Sequence, residues 1–283
     1  MLATTGERVL LAGCGDVGLR VARRLRAAGH TVFALRRCPP AEGGDGLHWL
    51  AGDLTAPATL GPLPEDITRL VYLPAPGARE RAVYEAVFLD GLRGLLERLN
   101  RSRLARVLFV SSSAVYGDQD GGWVDEDTPP APPGFNGAVL LEAERWLATQ
   151  DVPSTALRLA GLYGPGRLQL IERLRAGRVA VPRERPHWAN RIHVEDAAGA
   201  IAHLSFLSGA RPLYLGVDDT PLPLHVLYDR LASLAGAPLP AEGAPPTGVG
   251  SKRLSNARLR ASGWSPLWPD ARSGYAALLG REP

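Results

Sequence analysis

The stretch Gly13-Cys14-Gly15-Asp16-Val17-Gly18 spaces three glycines as Gly-x-Gly-x-x-Gly. That spacing has a use in phosphate chemistry. The first glycine permits a tight turn and the second lets a pyrophosphate approach bare backbone. The third lets a helix pack close to the preceding strand, with its N-terminus facing the phosphates. Arg36 and Arg37 close the next apolar run. In a dinucleotide fold that position lies beside the adenosine ribose, where an acid holds a 2′-hydroxyl and an arginine accommodates a 2′-phosphate. NADP is therefore the expected cofactor and NAD the lesser alternative; a solvated arginine after a strand is the other reading. Gly52-Asp53-Leu54 comes after the third run. Asp53 there can accept a hydrogen bond from an adenine amino group or simply form a turn. Along with these residues, Leu73, Pro74 and Ser111 are expected beside the cofactor.

These residues need a scaffold, and the pattern supplies one. Arg8 to Ala12 is an apolar run of strand type, leading into a helix with Val17, Val21, Leu25 and Ala28 on one face and Gly29 as its stop. Thr31–Leu35, Leu47–Ala51, Leu70–Leu73, Arg106–Val110 and Ser154–Leu159 read as further strands, with loop residues between Cys38 and Gly46. Helices are expected at Arg79–Leu99 and Ala138–Thr149, and a Pro/Gly-rich loop at Asp118–Gly137. Strands alternating with helices imply an α/β fold: a doubly wound parallel sheet of Rossmann type covered on both faces. The second half is less regular. It suggests helices at Leu168–Ala176, Val194–Leu207 and Leu224–Leu234, short strands near Val179 and Tyr214, and a loop at Pro238–Gly250. The expected division is a nucleotide-binding domain over 1–163 and a smaller, mostly substrate-binding lobe over 164–283, with segments returning to the sheet.

Composition narrows the options. At 283 residues and 45% hydrophobic the chain can bury a large core. A net charge of +3, with no basic run interleaved with aromatics, argues against nucleic acid as partner. Two cysteines without Cys-x-x-Cys spacing argue against a zinc site or a disulfide framework. Cys14 reads as a small structural residue, although a helix N-terminus can make a thiol more reactive. No signal peptide opens the chain and no run of about 20 apolar residues could span a bilayer, so a cytoplasmic protein is expected. The acidic stretch Asp118–Asp127 lacks a histidine and metal-ligand spacing, and reads as a surface loop.

Five segments occur in a telling order: Gly13-x-Gly15-x-x-Gly18, Gly52-Asp53-Leu54, Ser111-Ser112-Ser113-Ala114-Val115-Tyr116-Gly117, Leu157 through Gly166, and Arg191-Ile192-His193-Val194-Glu195-Asp196-Ala197. Together with Lys252 through Leu259 and Gly263-Trp264 they resemble the extended short-chain dehydrogenase/reductases, the NAD-dependent epimerase/dehydratase family, over nearly the whole chain. The resemblance implies a Rossmann domain with a small C-terminal lobe. It also implies a homodimer through helices near 79–99 and 138–149.

The family's active members use a Ser or Thr hydroxyl with a Tyr-x-x-x-Lys pair, in which lysine lowers the tyrosine pKa for general acid–base catalysis. Ser112 matches the hydroxyl position. The positions matching tyrosine and lysine hold Asn136 and Leu140, and the chain's one lysine is Lys252. Asparagine exchanges no proton near neutral pH, and leucine lowers no pKa. The chain thus resembles the atypical subgroup that keeps the fold and loses the dyad. Tyr163, after the sixth strand, is a substitute by chemistry and a packing residue by family habit. His193 reads as structural, while His187, Trp188 and Arg191 could bind an anionic group or form a solvated face. Two functions remain. One is an NADP-dependent oxidoreductase or epimerase/dehydratase acting on a small polar compound, a nucleotide sugar among the options. The other is a non-catalytic NADP(H)-binding redox sensor or regulatory protein.

Overall fold

A computed structural model of the chain describes residues 6–40 and 46–282. The loop expected between Cys38 and Gly46 lies, at 41–45, outside the described residues. Seven strands form one parallel sheet: β1 (Arg8–Ala12), β2 (Thr31–Arg36), β3 (His48–Ala51), β4 (Arg69–Tyr72), β5 (Arg106–Ser112), β6 (Ser154–Leu159) and β7 (Leu213–Gly216). Their order is β7-β6-β5-β4-β1-β2-β3. β1 lies inside the sheet, flanked by β4 and β2, and after Arg8 it is apolar. Val9, Leu10, Leu11 and Ala12 are all fully buried, as a parallel strand covered on both faces must be. Burying each of the larger ones stabilises the fold by about 2 kcal/mol. β1 pairs with β2 on one side, Leu11 beside Ala34, and with β4 on the other, Leu11 beside Val71. The strand order reverses across β1, and in such sheets the crevice beyond the carboxyl ends of the strands is where ligands bind.

Helix α1 (Asp16–Ala27) covers this sheet with Gly18, Val21, Ala22 and Leu25 buried, a helical period, and Gly29 comes just after its end with φ +85°. The long helix expected at 79–99 runs without interruption from Arg81 to Glu97, in three successive parts: α2 (Arg81–Glu85), one π turn (Ala86–Asp90), and α3 (Gly91–Glu97). Helix α4 (Phe135–Ala148) begins three residues before the expected Ala138. The final helices are α5 (Gln169–Arg175), α6 (Val194–Phe206), α7 (Leu224–Ala235), α8 (Ala257–Ala261) and α9 (Ala271–Leu278); the sequence pattern signals neither of the last two. The expected loops also hold short strands. Trp123–Val124 pairs with Arg253–Leu254, and Ala241–Glu242 with Ala180–Val181.

The chain divides into two compact units that interleave in sequence. One comprises 1–112, 135–157 and 198–213, the other 113–134, 158–197 and 214–283. The first holds most of the sheet. The second has its own core, in which Ile171, Leu174, Val181, Leu227, Leu231 and Tyr275 bring α5, α7 and α9 together. Among the described residues no helix is long and apolar enough to cross a membrane.

Candidate functional site

A cavity of about 650 Å³ opens at the carboxyl ends of β1 to β4 in the first unit, within the size range of small-molecule and cofactor sites. Each strand contributes residues from its exit: Gly13, Cys14 and Gly15 after β1, Arg36, Arg37 and Cys38 at the end of β2, Gly52 to Thr55 after β3, and Pro74, Ala75, Gly77 and Ala78 after β4. Val83 and Val87 complete the wall. Eight of the expected cofactor residues are thereby brought together: Gly13, Cys14, Gly15, Arg36, Arg37, Asp53, Leu54 and Pro74.

The glycine loop is fixed from within. The N–H groups of Gly13 and Cys14 both donate to the Leu35 carbonyl, at 3.0 and 2.9 Å, and that of Gly15 donates to the Gly13 carbonyl at 2.8 Å. Gly13 has φ +85°, and a Cβ on it would fall inside the envelope of the Pro74 backbone, so only glycine fits. At Gly15, by contrast, a Cβ would meet nothing nearer than the Gly13 carbonyl oxygen at 4.0 Å. That open space above bare backbone suits a pyrophosphate. Since the loop amides are already used, an anion would rest on the first turn of α1, which Gly15 caps without any side-chain hydrogen bond. The residues present therefore fit a dinucleotide.

Other expected contacts hold the frame. The Asp16 carboxylate pairs with Arg20 at 3.1 Å. Val17 and Gly18 lie in the first turn of α1. A Cβ on Gly18 would meet Cys14 Sγ at 3.0 Å and Leu73 Cδ1 at 3.5 Å, so Leu73 packs under the loop. Ser111 donates to Glu144 Oε1 at 2.5 Å. Cys14 is fully buried, and burial pushes its thiol up to about 11. Burial thus favours the neutral thiol, with Arg36 opposing it.

The two arginines at the end of β2 differ in setting. Arg36 is half-buried with its guanidinium carbon 5.9 Å from the Trp49 ring centre, while Arg37 is exposed. Asp53 Oδ1 accepts from both the Thr55 N–H at 2.9 Å and its hydroxyl at 2.8 Å. These hydrogen bonds hold the Asp53 carboxyl below the usual carboxylate range, with Arg37 adding to the effect. It remains an acceptor, the form an adenine amino group needs. Thr55, Val83 and Val87 were missed by sequence reasoning. The Asp-x-Thr spacing is a recognisable Asx-turn signal, whereas nothing local marks the valines.

The expected catalytic positions fall in both units. Ser112 is the last residue of β5 and Asn136 the second of α4, both half-buried and on elements that pack against each other. Leu140, in place of the expected lysine, is buried in α4. Tyr163 lies in the core of the second unit, fully buried, its ring stacked on Tyr275 at 4.5 Å and edge-on to His193 at 5.1 Å. Burial, reinforced by nearby carboxylates led by Asp218, drives its pKa far above the usual phenol value. It stays a neutral phenol, unsuited to act as a base, and its role there is packing. His193 is likewise buried, accepting from the Glu195 N–H at 3.2 Å. The Tyr116 hydroxyl accepts from Arg158 at 2.7 Å and donates to the Asp125 carbonyl at 3.0 Å. Lys252, also buried in the second unit, donates to the carbonyls of Tyr116 and Gly250 at 3.1 and 3.2 Å. His187 is buried as well, which lowers its pKa, so it is not part of a solvated face.

Comparison with known proteins agrees with this architecture. A solved structure from Methylobacillus flagellatus, described as a candidate NAD-dependent epimerase/dehydratase, is 41% identical with a TM-score of 0.80 and covers 97% of this chain and 98% of its own. The 3-diazoavenalumate denitrifying reductase of a Streptomyces species is 30% identical over 97% of this chain and 100% of that protein. Protein YeeZ of Escherichia coli is 36% identical over 162 residues; the match spans 56% of this chain and only 57% of that relative's length. The sequence profile of the NAD dependent epimerase/dehydratase family matches residues 9–205, and the chain belongs to that family.

Proposed function

We propose that the cavity binds NADP(H) and that the protein is an oxidoreductase or epimerase/dehydratase-type enzyme acting on a small polar carbonyl or hydroxyl compound, nucleotide sugars included. The observation that carries the cofactor choice is the pair Arg36 and Arg37 on the lip of a cavity whose floor is the Gly13–Gly15 loop. Guanidinium groups match a 2′-phosphate in geometry and charge. The first turn of α1 would hold the pyrophosphate and Asp53 the adenine. The full-length likeness to a reductase supports redox chemistry. When bound, the cofactor supplies or takes up hydride. Ser112 would donate a hydrogen bond to the substrate oxygen, and Asn136 would add its carboxamide donor, so that this oxygen is polarised by fixed dipoles and exchanges its proton with water, taking it up in reduction and releasing it in oxidation, rather than with a tyrosine. With Cys38 exposed and neither cysteine in a disulfide, a reducing, cytoplasmic setting fits the chain.

The second reading is an NADP(H)-binding sensor without turnover. It is favoured by one observation: the position where the family places its lysine holds a buried leucine, Leu140. A single experiment separates the two. NADPH is titrated onto the protein, and oxidation is then monitored by absorbance, and epimerisation by product analysis, across a panel of carbonyl and sugar-nucleotide compounds. The enzyme reading expects turnover that falls at least about tenfold in Ser112→Ala, in line with the loss of one hydrogen bond to a reacting oxygen. Binding without turnover anywhere in the panel would leave the sensor reading standing. Turnover abolished in Ser112→Ala would sink it.

A further inference from the structure

We propose that Tyr72 is a positioning residue for the dinucleotide. Its hydroxyl pins the π turn that presents Val87, together with Val83, to the cavity. This role rests on the NADP(H) assignment and deepens it. In a regular α-helix the Gly91 N–H would donate to the Val87 carbonyl, four residues back. Here it donates to the Ala86 carbonyl, five back. That one-residue slip takes from the Val87 carbonyl its usual intrahelical donor. The Tyr72 hydroxyl, at the end of β4, donates to this carbonyl. A side chain from the sheet thus closes a gap that the π turn opens, and π turns inside α-helices commonly accompany functional sites.

The surroundings are built for this contact. Tyr72 is fully buried, its ring stacked with Phe109 at 6.1 Å between centres. Gly91 leaves room for the hydroxyl: a Cβ there would stand 2.7 Å from Tyr72 Oη and 2.5 Å from the Leu54 carbonyl oxygen. The residue after Asp53 and the π turn are therefore packed against one another through Gly91. One extra residue in a helical turn rotates α2 against α3 by about 100°. With the extra residue, Leu92, Leu95 and Leu96 are buried in the core while Val83 and Val87 line the cavity. β4 also leads directly into Pro74 and Ala75, which line the same cavity. Tyr72 thus ties together three parts of the nucleotide wall: the β4 exit, the Asp53–Leu54 turn and the valine face. Burial drives its phenol far above the usual value, so it acts as a fixed neutral donor.

Tyr72→Phe removes the donor and keeps the ring. The dissociation constant for NADPH, measured by titration of the full chain, is expected to rise about five- to tenfold, the equivalent of one net buried hydrogen bond. Hydrogen exchange at the amides of Gly91 and Leu92 should speed up in the free variant and recover less on adding NADPH than in the parent. A purely structural tyrosine would lower the melting temperature and leave the dissociation constant and the NADPH-dependent protection unchanged; that outcome overturns the proposal. Val87→Ala guards against a poorly folded Phe variant, and it too should weaken binding. Equal affinity in Val87→Ala and the parent would also overturn the proposal. If the parent itself binds neither NADPH nor NADH, the cofactor reading fails first and the Tyr72 role with it. A binding parent beside unchanged variants removes the Tyr72 role alone.

Discussion

Replacing Arg36 by alanine tests the cofactor choice at its sharpest point. Arg36 is the half-buried member of the pair, its guanidinium near Trp49, and Arg37 is the exposed one. Two unit charges about 4 Å apart at an effective dielectric of about 20 attract by roughly 4 kcal/mol. Part of that returns to desolvation, and a hydrogen bond to a charged group nets about 1.5–3 kcal/mol. Arg37 remains in Arg36→Ala and can recover some of the contact, so the lower half of the range applies. NADPH should therefore bind about 12- to 40-fold more weakly in the variant. NADH has no 2′-phosphate and should change less than about threefold. The parent should prefer NADPH by a similar factor, and the preference should shrink at high salt, because the cavity lip is open and charges there are screened beyond roughly 8 Å at physiological ionic strength. Calorimetric titration of both cofactors on both proteins, at low and high salt, measures all of this. Equal affinities of the parent for the two cofactors would refute the arginine argument. So would an equal loss for both in Arg36→Ala, which would make Arg36 a wall of the cavity and not a phosphate reader.

The geometry sets two further outcomes. Gly13→Ala places a Cβ at φ +85° against the Pro74 backbone; the conformation alone costs about 1–2 kcal/mol, and backbone cannot yield as a side-chain end can. A loss of more than about 3 kcal/mol is expected, seen as a fall in melting temperature of roughly 6 °C or more with loss of NADPH binding, and an unchanged melting temperature would contradict the loop geometry. Asp218 in the second unit is buried, and desolvation raises its carboxyl to about 8, with Asp270 and Asp219 as like charges nearby. The folded state then holds a proton that the unfolded chain releases near pH 4, so this contribution to stability is full below that pH and is lost as pH rises towards about 8, by up to about 1.4 kcal/mol per pH unit. Asp218→Asn should flatten urea midpoints over that window; parallel profiles for the two proteins would show that Asp218 ionises normally.

The parts of the site that could be read from sequence are those where local backbone geometry dictates the residue. A turn at positive φ against the Pro74 backbone demands glycine at Gly13, and the end of β2 is fixed by the helix and strand before it, which places Arg36. What could not be read depends on partners far along the chain. The π turn meets a hydroxyl from β4 on its Val87 carbonyl, and the periodicity of 79–99 alone signals neither. The pairing of Trp123–Val124 with Arg253–Leu254 joins two segments with no local strand pattern. Tyr163 has the right chemistry and the wrong surroundings, and burial is set by α9 and by His193, not by its neighbours in sequence.

The proton inventory of the described residues bears on what chemistry the family fold can run here. Three tyrosines are held away from the role of the missing base: Tyr116 between Arg158 and the Asp125 carbonyl, Tyr163 buried against Tyr275 and His193, Tyr72 on the Val87 carbonyl. Lys252 serves two backbone carbonyls. The groups at the expected catalytic positions, Ser112 and Asn136, would, under the proposed reading, orient and polarise but not exchange protons near neutral pH. Hydride chemistry in such a site suits a substrate that needs no proton from the protein in the same step, one whose acceptor atom is already electron-poor or whose product takes its proton from water. Under the proposed reading, the rate should then show no titration of a tyrosine-like group between pH 6 and about 9. A bell-shaped profile with a limb in that range, lost on replacing a single tyrosine, would mean that a proton relay exists which the inventory does not contain.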